Sequence, residues 1–236
     1  MPIFKPAMAA VPWSAKIVQG SFDGKTYQAG LQIVLKKGWK TYWRNPGESG
    51  IPPTISGVGT NLESMEIEFP LPQRLKDESG ETIAYHDEVV FLIQAKPANV
   101  TQPLQLEFSS FFGVCAEVCT PAKFDGKLNL TPSNALGPDM ALISRWQDRV
   151  PKKAEFVAIA TVHDEFLVLG LRQKLSDIFV EGPDNYYFRA PDFGREKGKA
   201  WIKIDGLKKS VNLQGVKLRV TAADGGNGLE QFVVVI

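Results

Sequence analysis

The stretch FSSFFGVCAEVCTPA, residues 108–122, holds both cysteines of the chain, Cys115 and Cys119. Cysteines that form a disulfide have Cα atoms within roughly 7 Å, whereas residues four positions apart on a straight strand are about 13 Å apart. If the cysteines are bonded, the chain must turn between them, through a three-residue hairpin loop or one helical turn. The preceding run LQLEF, residues 104–108, alternates apolar and polar side chains as a strand does. We predict a β-hairpin, with an irregular turn because residues 116–118 contain no glycine.

The closeness of the two cysteines favours redox chemistry over structural bracing. On the chain-entropy argument, a disulfide that closes so short a ring stabilises a protein by only about 2 kcal/mol, against about 4.7 kcal/mol for a 100-residue loop. Thiol-disulfide exchange needs one sulfur open to attack and a second close enough to resolve the mixed disulfide. An inert bridge, two buried thiols and a soft-metal site remain alternatives. The two histidines, His86 and His163, are far apart in sequence, so no compact four-ligand metal spacing exists.

Composition narrows the class of protein. The 236 residues are 44% hydrophobic and 22% charged, with a formal net charge of +1, as in an ordinary soluble globular protein. So small a net charge gives no reason to expect nucleic acid or an anionic membrane as a partner. The longest apolar runs are far shorter than the ~20 residues of a membrane-spanning helix, so we expect a chain that does not span a membrane.

Strand patterns occupy most of the chain. Short apolar or alternating runs, bounded by glycine, proline and Asp-Gly turn signals, recur up to residue 130 and again after residue 155. We expect Asp125-Gly126 to form a turn or a bulge. Apolar residues at positions 140, 142, 143, 146 and 150 predict an amphipathic helix of about three turns that ends before Pro151. Seven strand segments after Glu155 predict a second small sandwich.

Arg44, His86 and Glu117 are candidate auxiliary residues. Arg44 borders the proline-rich loop of residues 45–53, and it would favour a thiolate if that loop lay beside the cysteines. His86 and Glu117 could carry the proton of an attacking or leaving thiol. The ordinary alternative for Arg44 is a solvated or paired side chain, and a lone histidine such as His86 in a β segment is more often a surface or packed residue. The neighbouring aromatic residues are expected in the sandwich core, in an aromatic wall near the cysteines, or in both; they are Trp39, Tyr42 and Trp43.

Four blocks of sequence resemble one known family. They are YWRNPGESGIPP (Tyr42 to Pro53), FPLPQR (Phe69 to Arg74), AYHDEVVFLI (Ala84 to Ile93) and FFGVCAEVCTPAKFDGKLNL (Phe111 to Leu130). In these blocks the chain resembles the N-terminal periplasmic domain of the transmembrane thiol:disulfide reductase DsbD and its relatives. The resemblance implies an immunoglobulin-like β-sandwich with Cys115 and Cys119 as the exchanging pair. It also implies a thioredoxin-like or transmembrane electron-donor protein, and oxidised periplasmic proteins as substrates.

The chain departs from the family in two places. The best-known members space their cysteines more widely than C-x3-C, and they shield the disulfide with a cap loop that carries an aromatic residue. The corresponding segment here, Leu75 to Thr82, has no aromatic residue. We therefore expect a cap loop that lacks the usual aromatic side chain over the disulfide.

We predict an all-β fold of two immunoglobulin-like β-sandwich domains joined by a short helix. Residues 1–134 would form the redox domain, residues 135–153 the helical connector, and residues 154–236 a second small sandwich that serves as a binding or spacer module.

The predicted function is that of a periplasmic thiol-disulfide exchange protein with a working Cys115/Cys119 pair, no cofactor and no metal. The alternatives are a non-enzymatic binding module with a structural disulfide and a copper-handling protein that uses the two thiolates. The first residues lack the apolar core of a secretory signal, but Ala7 to Ala10 resemble the surroundings of a cleavage site, so we expect a leader to have been removed.

Overall fold

The computed structural model describes residues 11–77, 80–133, 136–184, 186–206 and 212–236. The first ten strands lie before residue 131. They are β1 (Trp13–Phe22), β2 (Tyr27–Leu35), β3 (Lys40–Tyr42), β4 (Thr54–Thr60), β5 (Leu62–Glu68), β6 (Gln73–Asp77), β7 (Gly80–His86), β8 (Glu88–Pro97), β9 (Leu104–Cys115) and β10 (Cys119–Leu130). The predicted cleavage region at Ala7 to Ala10 lies outside the described residues.

These ten strands form two antiparallel sheets. One has the order β1-β2-β8-β5, and the other has the order β10-β9-β3-β7-β6, with β4 also paired to β9. Side chains alternate along β9, so that even-numbered residues such as Phe112 and Val114 face the core. Asp125 and Gly126 lie inside β10 in an unbroken register with β9, so the expected turn or bulge is wrong. Cross-strand pairing over the full hairpin overrides the local Asp-Gly signal.

The remaining strands form a second pair of sheets. They are β11 (Lys152–Lys153), β12 (Val157–His163), β13 (Phe166–Leu171), β14 (Asp177–Glu181), β15 (Tyr186–Asp192), β16 (Lys199–Gly206), β17 (Lys217–Asp224) and β18 (Asn227–Val234). The orders are β11-β18-β17-β14 and β12-β13-β16-β15. A separate apolar core that includes Phe156, Leu167 and Leu218 lies between them. All seven strand segments predicted after Glu155 are present, as β12 to β18.

One helix, α1 (Met140–Gln147), connects the two pairs of sheets within the described residues. Its Ile143 and Trp146 are buried against the N-terminal core, as the apolar spacing predicts. The helix has eight residues, so the predicted length of three turns is wrong. The backbone N–H groups of Arg149 and Val150 bond to carbonyls three residues back, which tightens the chain and ends the helix.

The segment before α1 is fastened to the first strand. The N–H of Gln19 donates to the Asp139 carboxylate at 3.0 Å, and the Asp139 N–H donates to the Gln19 carbonyl at 3.1 Å. These bonds pair the backbone N–H and carbonyl of Gln19 at the point where the register between β1 and β2 shifts. At Gly137 a Cβ atom would stand 1.8 Å from the Gly20 carbonyl oxygen, so only glycine fits this approach.

The all-β prediction, with a helix that links two sets of sheets, is confirmed. The domain boundary at residues 134 and 135 falls outside the described residues and stays a prediction. Over the described ranges, no helix has the length and apolar character needed to cross a membrane.

The two cores meet at β14. Phe179 of β14 is 2% exposed and belongs to the N-terminal core cluster, with its ring centroid 5.7 Å from that of Trp43. Arg74 lies over the Phe179 ring at 5.0 Å and also pairs with Asp177 of the same strand. The N-terminal and C-terminal halves are therefore joined by an apolar contact flanked by an ion pair.

Candidate functional site

The two cysteines close the tip of the β9–β10 hairpin. Cys115 is the last residue of β9, Cys119 is the first residue of β10, and the two are paired directly across the hairpin. Their Cα atoms are 4.1 Å apart and their sulfurs form a disulfide. The hairpin prediction is thus confirmed over the helical turn. Cys115 is fully buried, whereas Cys119 is exposed.

Cys115 lies on the outer face of its sheet, opposite the sandwich core. Val114 and Phe112, its even-numbered neighbours, point inward, so Cys115 points outward. It is nevertheless buried, because it packs with Tyr42 and Ala84 in a small cluster of its own that Leu75 adjoins. The Cys115 end of the disulfide therefore lies on a covered part of the outer surface.

Tyr42 contacts both sulfurs of the disulfide. Its hydroxyl donates to Cys115 Sγ at 2.9 Å and lies 3.2 Å from Cys119 Sγ. A Cβ atom on Gly50 would lie 2.6 Å from Tyr42 Cε1, and one on Gly113 would lie 3.1 Å from Tyr42 Cδ2. Both glycines thus leave room for the ring. Trp43 lies in the core, so the aromatic residues supply both the core and the wall beside the cysteines.

Lys40 shares the outer face with Cys115 and is missed by sequence reasoning. In the register of β3, Lys40 stands opposite Cys115 on one side and opposite His86 on the other. The residue is 7% exposed, and its Nζ donates to Thr82 Oγ1 at 3.1 Å. The available signal was the position of Lys40 in the run WKTYW, where the three aromatic residues are expected to be buried.

The expected cap segment is mostly a strand hairpin. Leu75 lies in β6 and Thr82 in β7, while positions 78 and 79 fall outside the described residues. Leu75 packs against the cluster of Tyr42, Ala84 and Cys115. An aliphatic side chain therefore contacts the covered surface, in a segment that carries no aromatic residue.

Arg44 is engaged with the C-terminal half. Its guanidinium donates to Glu181 at 2.8 to 3.1 Å and to Glu230 at 3.1 Å, and it lies 4.4 Å from the ring centroid of Trp43. A partly buried arginine is held by carboxylates that can accept from its planar fork. The expectation that Arg44 favours a cysteine thiolate stays a prediction.

His86 and Glu117 occupy different positions around the site. His86 lies at the end of β7, with Nδ1 2.5 Å from Asp87 Oδ2 and Nε2 2.8 Å from Gln73 Oε1. Both of its ring nitrogens therefore face oxygen atoms. Glu117 is exposed in the hairpin loop, two positions from Cys119. Their roles in proton transfer stay predictions.

Tyr85 of β7 faces the N-terminal core and stabilises this part of the sandwich. Burial raises the pKa of Tyr85 well above its ordinary value, so its hydroxyl keeps its proton. The hydroxyl donates to the Pro70 carbonyl at 2.7 Å and so holds the segment that leads into β6.

The sequence matches the family described as thiol:disulfide interchange protein DsbD, N-terminal, over residues 9–128, just over half of the chain. The chain belongs to this family. The N-terminal periplasmic domain of ScsB from Proteus mirabilis has the same fold, with a TM-score of 0.77 and 20% identity. That superposition covers 95% of this chain and 94% of the other. No curated protein matches the chain.

Two DsbD N-terminal domains from Neisseria meningitidis are also similar. One, in the reduced form, is 16% identical over 51% of this chain and 86% of its own, with a TM-score of 0.29. The other, from a complex with the PilB N-terminal domain, is 15% identical over 52% of this chain and 84% of its own, with a TM-score of 0.32.

The arrangement provides a thiol-disulfide interchange domain with its cysteines at bonding distance. Cys119 is exposed, Cys115 is buried, and the Tyr42 hydroxyl reaches both sulfurs. Among the described residues, no three His, Cys, Asp or Glu side chains are grouped so as to hold a metal ion.

Proposed function

We propose that the chain is a thiol-disulfide exchange module whose working group is the Cys115–Cys119 disulfide. The asymmetry of the pair carries the proposal. Cys119 is exposed, whereas Cys115 is buried and its sulfur accepts a hydrogen bond from Tyr42 at 2.9 Å. Exchange depends on which sulfur an attacking thiolate can reach and on how well the other sulfur leaves. The two cysteines are suited to different tasks.

Reduction begins at Cys119. The thiolate of a reductant attacks Cys119 Sγ, a disulfide forms between reductant and Cys119, and the bond to Cys115 breaks. The electron pair of that bond leaves on Cys115 as a thiolate. Tyr42 stabilises this thiolate, since a hydrogen bond to a charged group contributes about 1.5–3 kcal/mol.

A second thiolate of the reductant then attacks the reductant's own sulfur in the mixed disulfide and releases Cys119 as a thiolate. The pair has gained two electrons, and two protons from solvent complete the dithiol. In the opposite direction, the Cys119 thiolate attacks a substrate disulfide and displaces one substrate thiolate. Cys115 then attacks Cys119, which restores the Cys115–Cys119 bond and releases the reduced substrate.

The family suggests the partners and the compartment. The electron donor would be a thioredoxin-like or transmembrane protein, the acceptors would be oxidised periplasmic proteins, and the location would be the periplasm. Membership of the DsbD N-terminal family over residues 9–128 supports these assignments. The C-terminal half contains no cysteine, and we assign it a binding or spacer role. A purely structural brace is expected to bury both sulfurs, so the exposure of Cys119 favours exchange.

The reduction potential tests the proposal. The protein is equilibrated in glutathione or dithiothreitol buffers, and free thiols are trapped with an alkylating reagent. An exchange pair is expected between about −120 and −270 mV, with rapid reduction by a thioredoxin-like protein. A potential below about −300 mV is that of a structural bond and would count against exchange.

A matched pair of variants tests the order of attack. With Cys115→Ser, the exposed Cys119 should trap a mixed disulfide with a thioredoxin-like protein. With Cys119→Ser, the remaining thiol is buried and should trap little. Equal trapping by both variants would contradict the assigned roles.

A further inference from the structure

The loop of residues 45–53, here called the wall loop, runs between the C-terminal half and the disulfide. We propose that the C-terminal half holds the wall loop in place and thereby positions Tyr42 against the cysteines. Residues across the contact between the halves would then tune exchange at Cys115 and Cys119. This inference rests on the exchange function proposed above and adds a means of control to it.

The start of the wall loop is anchored by the preceding residue. Arg44 bonds to Glu181 of β14 and to Glu230 of β18, both in the C-terminal half. The side chains of Arg44, Glu181 and Glu230 are only 14%, 19% and 11% exposed. Ion pairs so shielded from water are screened far less than surface pairs.

The first residues of the wall loop make further bonds to the same half. Asn45 Nδ2 donates to the Val180 carbonyl at 3.5 Å, and Arg189 Nη2 donates to Glu48 Oε1 at 2.6 Å. Arg189 is itself paired with Asp205, a neighbour in the C-terminal half. Glu48 is therefore bound to a guanidinium that is already fixed in place.

The later residues of the wall loop pack on the site. Gly50 lies against the Tyr42 ring so closely that a Cβ atom would stand 2.6 Å from Cε1. The Ile51 carbonyl accepts from the Gly113 N–H at 3.2 Å, and Gly113 borders the other edge of the same ring. The position of the wall loop thus fixes the ring whose hydroxyl bonds to Cys115.

These contacts predict whether loosening the wall loop speeds or slows reduction of the disulfide. Cys119 is already exposed, so a looser wall loop does not make its sulfur easier to reach. A looser wall loop does allow Tyr42 to move away from Cys115, which is the leaving sulfur when Cys119 is attacked. A leaving thiolate that is less well stabilised leaves more slowly. Loosening the wall loop should therefore slow reduction of the disulfide.

Glu48→Gln in the full chain is the test variant, since it removes the charge and keeps the size. We expect reduction by dithiothreitol to slow about two- to fivefold, the range that follows from the loss of one partly exposed ion pair. Glu63→Gln is the matched control. Glu63 pairs with Lys96 at 2.7 Å with similar exposure, within the N-terminal half and away from the wall loop, and it should leave the rate unchanged.

The Tyr42→Phe variant shows whether the effect passes through the hydroxyl. It keeps the ring between the two glycines and should slow reduction about tenfold or more by itself. Adding Glu48→Gln to Tyr42→Phe should cause no additional slowing. A wild-type rate for Glu48→Gln, or equal slowing with and without the hydroxyl, would overturn the inference.

Dithiothreitol separates this inference from the proposed function. It reduces the disulfide without any protein partner, so the comparison of variants holds whatever the natural partners are. Failure to exchange with a thioredoxin-like protein, with the Glu48 effect intact, would count against the proposed function alone.

Discussion

Phe179 is the residue whose removal should separate the two halves. It extends from β14 into the N-terminal core, where it is 2% exposed and packs on Trp43 at 5.7 Å and under Arg74 at 5.0 Å. Truncating a buried phenylalanine to alanine costs about 3–5 kcal/mol. That cost is a large fraction of the roughly 5–15 kcal/mol that stabilises a typical domain. We expect Phe179→Ala to lower the free energy of unfolding by about 4 kcal/mol.

The variant should also change the form of the unfolding transition. The apolar contact between the cores is lost in this variant, while the ion pairs of Arg44 and Arg74 remain. Urea unfolding followed by tryptophan fluorescence should resolve two transitions, because Trp43 lies in the N-terminal half and Trp201 in the C-terminal half. Phe232→Ala is the control, since that side chain is 51% exposed and should change stability by less than about 0.5 kcal/mol.

A specific result would refute this reasoning. If Phe179→Ala unfolded in one transition with an unchanged m-value and lost less than about 1 kcal/mol, the contact would not join the halves. An equal loss of unfolding free energy in the Phe232→Ala control would also contradict the reasoning, because the effect would then not depend on the burial of Phe179.

Three further predictions concern the site and one turn. In the reduced protein, iodoacetamide should modify Cys119 at least about tenfold faster than the buried Cys115, as peptide mass spectrometry would show; equal rates would contradict the assigned exposure. Hydrogen bonds from two backbone N–H groups lower the pKa of Asp23, so wild type should be more stable than Asp23→Asn at pH 7. This advantage should fade as the pH falls below the ordinary aspartate pKa of about 3.9 and through the lowered one; a pH-independent difference in urea unfolding would argue against it. Gly50→Ala, at φ +131° and against the Tyr42 ring, should lower stability by about 1–3 kcal/mol in thermal unfolding, and unchanged stability would show that the loop gives way freely.

Local sequence carried enough information to predict the cysteine hairpin. The alternating run before Cys115 identifies β9, and the reach of a disulfide then requires a turn before Cys119. The strands after Glu155 were predictable for the same reason, because period-two patterns and turn residues act over short distances. The burial of Cys115 was not predictable, since it comes from a covering of the outer face that distant segments supply.

Contacts between the halves lay beyond sequence reasoning. Arg44 is 137 positions from Glu181 and 186 positions from Glu230, and no local pattern selects those partners from the other acidic residues. The length of α1 was missed because apolar spacing reports a buried face and continues through the tightened turn that ends the helix. Lys40 was missed because burial of a lysine on an outer face depends on what covers that face.

The bonds between Gln19 and Asp139 also bear on the order in which the emerging chain assembles. The two residues are 120 positions apart, so a chain that emerges with its N-terminus first presents Gln19 well before Asp139. During that interval the polar groups of Gln19 at the irregular end of β1 can bond only to water. The N-terminal sheets therefore have time to pair before the linker closes onto them, and this fastening is among the last steps before the C-terminal strands emerge.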